Sequence, residues 1–202
     1  SKLASYFIDG KLGKHPETPK KDEPFFEKIH NVIIGNNRIA LEAATQKAVE
    51  LGFNVRTLTP NWEEDVCKVA DYLLYKTFFI HQDANMRKPL CIIAGGETTL
   101  QVNGNGLGGR NQHFALYCAK QLAGKMGITV LCAGTDGTDG PTDAAGAVVD
   151  CHSFDNAREK GLDIDNYLER FDSYNFFKQA GGHIITGNTL TNVMDLIIAI
   201  VV

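Results

Sequence analysis

Three glycine-rich turns between Cys91 and Asp150 place carboxylates, a guanidinium and hydroxyls where apolar segments end, a combination suited to handling an anionic ligand. Glycine lets backbone N–H groups approach a phosphate or carboxylate without a Cβ in between, and a helix starting after such a turn adds the positive end of its dipole. The first turn, Gly95-Gly96-Glu97-Thr98, follows the apolar run Leu90 to Ala94. Glu97 and the threonines beside it can hold a metal, a hydroxyl or an amide. A tight turn with a solvated Glu is the plainer reading of the same string.

The second turn runs Gly104-Asn105-Gly106-Leu107-Gly108-Gly109-Arg110 and contains a G-x-G-x-x-G pattern. A dinucleotide site needs an acidic residue about twenty positions further on. Position 129 is Thr, Asp136 falls inside the next glycine turn, and no G-K-[ST] follows, so neither a nicotinamide fingerprint nor a P-loop is present. What remains is Arg110 at a predicted helix start, with Gly108, Gly109, Asn111 and Gln112 around it. A guanidinium there offers paired donors to phosphate or carboxylate oxygens. A surface Arg on a loop is the alternative.

The third turn packs Asp136, Asp139 and Asp143 behind the apolar segment Ile128 to Ala133, with Thr135 at its head. Such carboxylates can coordinate Mg²⁺ or accept hydrogen bonds from a polyhydroxy substrate. Asp also caps turns by accepting backbone N–H bonds, which is the competing explanation. The D-x-D-x-D register of a calcium loop is absent. Near the end of the chain, Thr186-Gly187-Asn188-Thr189 is either a source of backbone and hydroxyl contacts or a hairpin turn before a last strand.

Alternating strands and helices must position these turns. Periodicity predicts strands at His30 to Ile34, Phe53 to Leu58, Leu90 to Ala94, Thr98 to Val102 and Ile128 to Ala133, the last so apolar that it should be central. Helices are predicted over Arg38 to Leu51, from a cap at Asn61 to Gln82, and over Asn111 to Gly124. Two short helices fall within Phe154 to Ala180, and closing strands at His183 to Thr186 and Asp195 to Val201. The expected class is α/β, a mainly parallel sheet with helices on both faces in Rossmann-like layers and antiparallel strands closing it near the C-terminus. Residues 1 to 29, punctuated by Pro16, Pro19 and Pro24, read as a connector, and residues 30 to 202 as a single domain.

The chain has 202 residues, 44% hydrophobic, and a formal charge of −4, which is enough for a substantial core and gives no basic footprint for nucleic acid. The run Leu196 to Val202 is too short to span a bilayer, so no membrane role is expected. Five scattered cysteines without a C-x-x-C pair point to reduced thiols and a cytoplasmic protein.

The strings GGETT (95 to 99), GxGGRNQ (106 to 112), AGTDGTDGPTDAAGA (133 to 147) and TGNTLTNVMD (186 to 195) resemble, in that order, the C-terminal MOFRL domain of the glycerate 2-kinases often labelled hydroxypyruvate reductases. HNVIIGNNRIALEAA upstream matches the stretch leading into that domain. The resemblance implies ATP-dependent phosphorylation of glycerate at its 2-hydroxyl, with Mg²⁺, in a cleft between two α/β domains. It also implies about as much chain again on the N-terminal side, with a lysine at the phosphate site. On that basis the catalytic group is Arg110, Asp136 and Asp139, with Asp136, Asp139 and Glu97 as metal ligands. Gly95, Gly96, Glu97, Thr98, Gly108, Gly109, Asn111, Gln112, Thr135, Thr186 and Asn188 would contact substrate or phosphate. The expected partners are glycerate, the N-terminal half of the same enzyme and a second copy of the chain. The family pattern has Glu where this chain has His113, and T-G-P-T-G-T-N-V where it has Asn188 and Leu190. A non-catalytic binding or assembly module and an NAD(P)-dependent reductase are the rival functions.

Overall fold

The computed structural model describes Ser1–Val202, which divides into two compact units, Ser1–Ile34 and Gly35–Val202. The first unit holds helix α1 (Lys2–Lys11), whose first turn is capped by Ser1 accepting the Ala4 N–H, and a short 3-10 turn at Pro24–Lys28. The expectation of a plain connector over residues 1 to 29 missed α1, which ends before the first of its prolines. The strand expected at His30 to Ile34 does not form: β-branched residues favour extended backbone, but no strand pairs with this stretch and Val32, Ile33 and Ile34 are exposed.

The second unit is a six-stranded open sheet in the order β1-β2-β6-β3-β4-β5. Its strands are β1 (Asn54–Thr57), β2 (Leu90–Gly96), β3 (Ile128–Gly134), β4 (Gly146–Asp150), β5 (His183–Ile184) and β6 (Asp195–Val201). Around it lie α2 (Asn37–Glu50), α3 (Val66–Gln82), α4 (Arg110–Gln121), α5 (Ser153–Glu159), α6 (Ile164–Glu169) and α7 (Ser173–Ala180). The α/β class and the layering are as expected, and β3 is indeed interior. The pairing differs from the expectation of a mainly parallel sheet. β1, β2, β3 and β5 share a direction, yet β6 inserts antiparallel between β2 and β3, so β1–β2 is the one parallel ladder.

Local chemistry accounts for most elements. Asn36 caps α2 by accepting the Ile39 N–H at 3.0 Å, and Asp65, not Asn61, caps α3 by accepting from Cys67 and Lys68. Strand alternation sorts side chains between two cores. Ile92, Ala94, Val130, Cys132, Ile197 and Ala199 face the larger one with residues of α3, α4 and α7, while Cys91 and Ile93 pack with Leu41 and Ala48 of α2 on the other face. Thr98 to Val102 contributes a single bridge, Asp65 to Thr99, instead of a strand. Gly146–Asp150, to which no element was assigned from the sequence, is β4, and three short helices stand where two were expected. The five cysteines are free, and no helix is long and apolar enough to cross a membrane.

Candidate functional site

The C-terminal ends of β2 and β3 finish at Gly96 and Gly134, and both register with Asp195, the first residue of the antiparallel β6. The turns after β2 and β3, the start of α4 and the entry to β6 therefore meet beyond the C-terminal ends of β2 and β3, in the middle of the sheet, which is where ligands gather in open α/β sheets. They line a cleft of about 1030 Å³ that includes Glu97, Thr98, Gly108, Gly109, Arg110, Asp136 and Asp139. Its walls also bring in Glu63, Thr138, Asn192, Met194 and Asp195, none of which was given a role from the sequence, although all but Glu63 fall within the strings that carry the resemblance. Asp195 was hidden because it reads as the polar boundary of an apolar strand.

Arg110, the first residue of α4, is gripped from below. Its Nε donates to Asp195 Oδ2 at 2.6 Å and its NH2 to Asp195 Oδ1 at 3.0 Å, while NH1 donates to Glu97 Oε1 at 3.0 Å. The Asp195 side chain is 3% exposed, that of Glu97 56%, so the two bonds differ in environment. The hydrogen bonds to Asp195 raise the Arg110 pKa further above its ordinary value, against the burial that lowers it. Charge-assisted paired bonds of this geometry are strong and fix the plane of the guanidinium.

Asp139 is placed differently from its expected metal role. Gly109 at the N-cap of α4 has no side chain to cap with, and Asp139 supplies the cap from across the chain. Its Oδ1 accepts from the Asn111 N–H at 3.0 Å and Asn111 Nδ2 at 3.2 Å; its Oδ2 accepts from the Gln112 N–H at 2.8 Å and Gln112 Nε2 at 3.1 Å. Burial pushes the Asp139 carboxyl above the usual range while these donors pull it down. With both oxygens engaged, it does not suit a metal. Nor does the chain hold any group of three or more His, Cys, Asp or Glu arranged to bind a metal ion. Asp136 is half-buried and accepts from the Thr138 N–H at 3.1 Å; of the three expected metal ligands, it and Glu97 are left to face a cation.

Asn111 and Gln112 lie beneath the cleft as parts of this scaffold. Cys132 donates to Asn111 Oδ1 at 2.9 Å, which turns Nδ2 of the same amide toward both Asp139 and Asp195. Burial pushes the Cys132 thiol well above its ordinary range, so it keeps the proton it donates. Thr135 is also structural: its hydroxyl donates to the Met194 carbonyl and accepts from the Val193 N–H. Thr186 and Asn188 fall outside the cleft walls, in a loop that packs on the aspartate turn where Gly137 meets Gly187. Thr98 is different, because its hydroxyl is buried beside the cleft and has no partner.

The glycines of the first two turns approach protein rather than open space. A Cβ on Gly95 would strike Asn37 and come within 2.8 Å of the Asp195 carbonyl, and one on Gly109 would collide with the Asp139 carboxylate. Gly104 and Gly106 abut Arg170 and Asp172, with Leu107 N–H bonded to Asp172, so the G-x-G-x-x-G string is a docking loop under α7 and not a dinucleotide turn.

The family model described as MOFRL matches residues 90–195, the span from the start of β2 to the entry of β6. The chain belongs to the MOFRL family. Among its relatives, the D-glycerate 2-kinase of Thermotoga maritima is 40% identical over 189 residues, covering 92% of this chain and 44% of that protein. The glycerate 2-kinase of Pyrococcus horikoshii is 36% identical over 197 residues, covering 95% of this chain and 43% of the relative. A crystal structure of glycerate kinase from Thermotoga maritima superposes with a TM-score of 0.86 at 36% identity, over 98% of this chain and 49% of that one. This MOFRL chain thus spans about half the length of the curated relatives it matches.

Proposed function

We propose that the cleft is the C-terminal wall of an ATP-dependent glycerate 2-kinase site, completed by an N-terminal half such as the longer relatives carry. The observation that carries this reading is the cleft's single basic side chain, Arg110, held by a buried carboxylate and bonded through NH1 to Glu97 of the same wall. Phosphoryl transfer requires placement of the acceptor hydroxyl and neutralisation of charge more than it requires a covalent catalyst. Arg110 would take the glycerate carboxylate or a transferring phosphate oxygen, and the partnerless Thr98 hydroxyl would bond a second oxygen of the same ligand.

Charge then sets what must come from elsewhere. Glu63, Glu97, Asp136, Asp139 and Asp195 share the wall with Arg110, so the wall is acidic and disfavours an unaccompanied anion. Mg²⁺ on the nucleotide phosphates, with Asp136 and Glu97 among the carboxylates that would hold it, supplies charge neutralisation when bound, and basic groups of the N-terminal half would add to it. Asp136 would orient the acceptor hydroxyl, accepting its hydrogen bond.

A reductase would instead bind a nicotinamide dinucleotide. Equilibrium titration of ATP with Mg²⁺, and of NADH, into this chain joined to the N-terminal half of the Thermotoga maritima relative separates the two. Saturation by ATP and none by NADH is expected; saturation by NADH alone would overturn the kinase reading.

A further inference from the structure

Asp195 touches Arg110 through two bonds, yet its carboxylate lies almost wholly out of solvent, in a place that strand order alone makes available. Because β6 enters the sheet antiparallel between β2 and β3, its first residue sits level with the C-terminal ends of both. The two ladder partners there are Gly96 and Gly134, which present no side chains and leave the Asp195 carboxylate open to a guanidinium arriving from α4. Its backbone is fixed as well, since Asn37 Nδ2 donates to the Asp195 carbonyl at 2.9 Å and to the Val193 carbonyl at 2.7 Å. Asn111 Nδ2 donates to Asp195 Oδ1 at 3.0 Å, tying the carboxylate to the same first turn of α4 that carries Arg110.

We infer that Asp195 is a positioning residue: it does not meet the ligand but locks the Nε and NH2 edge of Arg110, so that NH1 is the end presented to the cleft. The chain of donors is continuous, from the Cys132 thiol to Asn111, from Asn111 to Asp195, and from Arg110 to Asp195. Glu97 differs from Asp195 in making one bond to NH1 from an exposed position, so an incoming anion can share or displace it, whereas the Asp195 pair stays closed. A long flexible side chain held in one rotamer before the ligand arrives loses less entropy on binding and presents its donors at a fixed angle. This inference rests on the kinase reading only for its consequence in turnover. The geometry of the pair stands apart from it.

Two measurements test it. In the 202-residue chain, ¹⁵N NMR of the arginine side chains should show the Arg110 Nε–H as a resolved signal with slow rotation about the Nε–Cζ bond. In Asp195→Asn that signal should average while the remaining arginines are unchanged. In the chain joined to the Thermotoga maritima N-terminal half, Asp195→Asn should lower kcat by about 100-fold, as removal of other preorganised donors does, while leaving KM for ATP within about twofold. A wild-type guanidinium that already rotates freely would overturn the inference, and that spectrum needs no variant to fold. So would an Asp195→Asn enzyme with undiminished kcat. If the joined wild-type protein binds no ATP and makes no product, the kinase reading fails, and the wild-type and Asp195→Asn spectra alone decide the positioning role.

Discussion

The Asp139 carboxylate accepts the backbone N–H of Gln112 at 2.8 Å across a separation of 27 residues, which makes the aspartate turn after β3 the N-terminal cap of α4. A helix start left without such a partner exposes buried donors. Asp139→Ala should therefore destabilise the fold by about 2 to 3 kcal/mol, read by chemical denaturation, by the loss of a cap and of buried hydrogen bonds. Asp136→Asn, in a partly exposed turn, should cost less than about 1 kcal/mol. Equal effects would mean that Asp139 is not the cap.

Arg110→Lys keeps the charge and removes the planar fork that Asp195 and Glu97 hold. In the joined enzyme it should lose about 2 to 4 kcal/mol of transition-state stabilisation, seen as a fall in kcat/KM. An unchanged kcat/KM would remove Arg110 from the site.

His113, where the family pattern has Glu, lies inside α4 against Phe171, with ring centroids 5.1 Å apart and Nδ1 without a partner. Burial pulls its pKa down from 6.5 to about 4. Below 6.5 the unfolded chain takes up a proton that the folded chain refuses. Stability contributed by the neutral ring is therefore full above 6.5 and lost as pH falls toward 4, on the order of 3 kcal/mol in total. Melting temperature measured from pH 7 to pH 4 should fall through that window, and His113→Gln should flatten the dependence. A parallel fall in the variant would assign the loss to other groups.

Leu190 adopts φ 62°, the left-handed region, and is almost fully exposed, at the position where the family pattern has Gly. A branched side chain is strained there and gains nothing from packing. Leu190→Gly should raise stability by about 0.5 to 1 kcal/mol, the relief of strain exceeding the added entropy of the unfolded chain. A lower melting temperature would mean that the leucine makes a contact the fold needs.

The helices α2, α3 and α4 and the strands β2 and β3 were legible because each couples an apolar run or period to a cap or a glycine stop. Pairing was not legible, since the run Asp195 to Val201 reads the same whether it closes an edge or inserts between β2 and β3. The insertion is what puts Asp195 at the centre of the site, so that residue's role was missed along with its strand's position. Glycine turns announced where loops converge. Whether a given glycine faces a ligand or, like Gly95 and Gly109, another loop depends on contacts remote in sequence. Asp139 illustrates the same limit: a carboxylate in a glycine turn reads equally as ligand or as cap, and only the approach of α4 distinguishes them.

The most direct test of the kinase assignment is ³¹P NMR of ATP, Mg²⁺ and D-glycerate with this chain alone and with the chain joined to the Thermotoga maritima N-terminal half. The joined protein is expected to yield ADP and 2-phosphoglycerate, and the 202-residue chain neither. Turnover by the chain alone, or a folded joined protein that binds ATP and transfers no phosphoryl group to glycerate, would contradict the assignment.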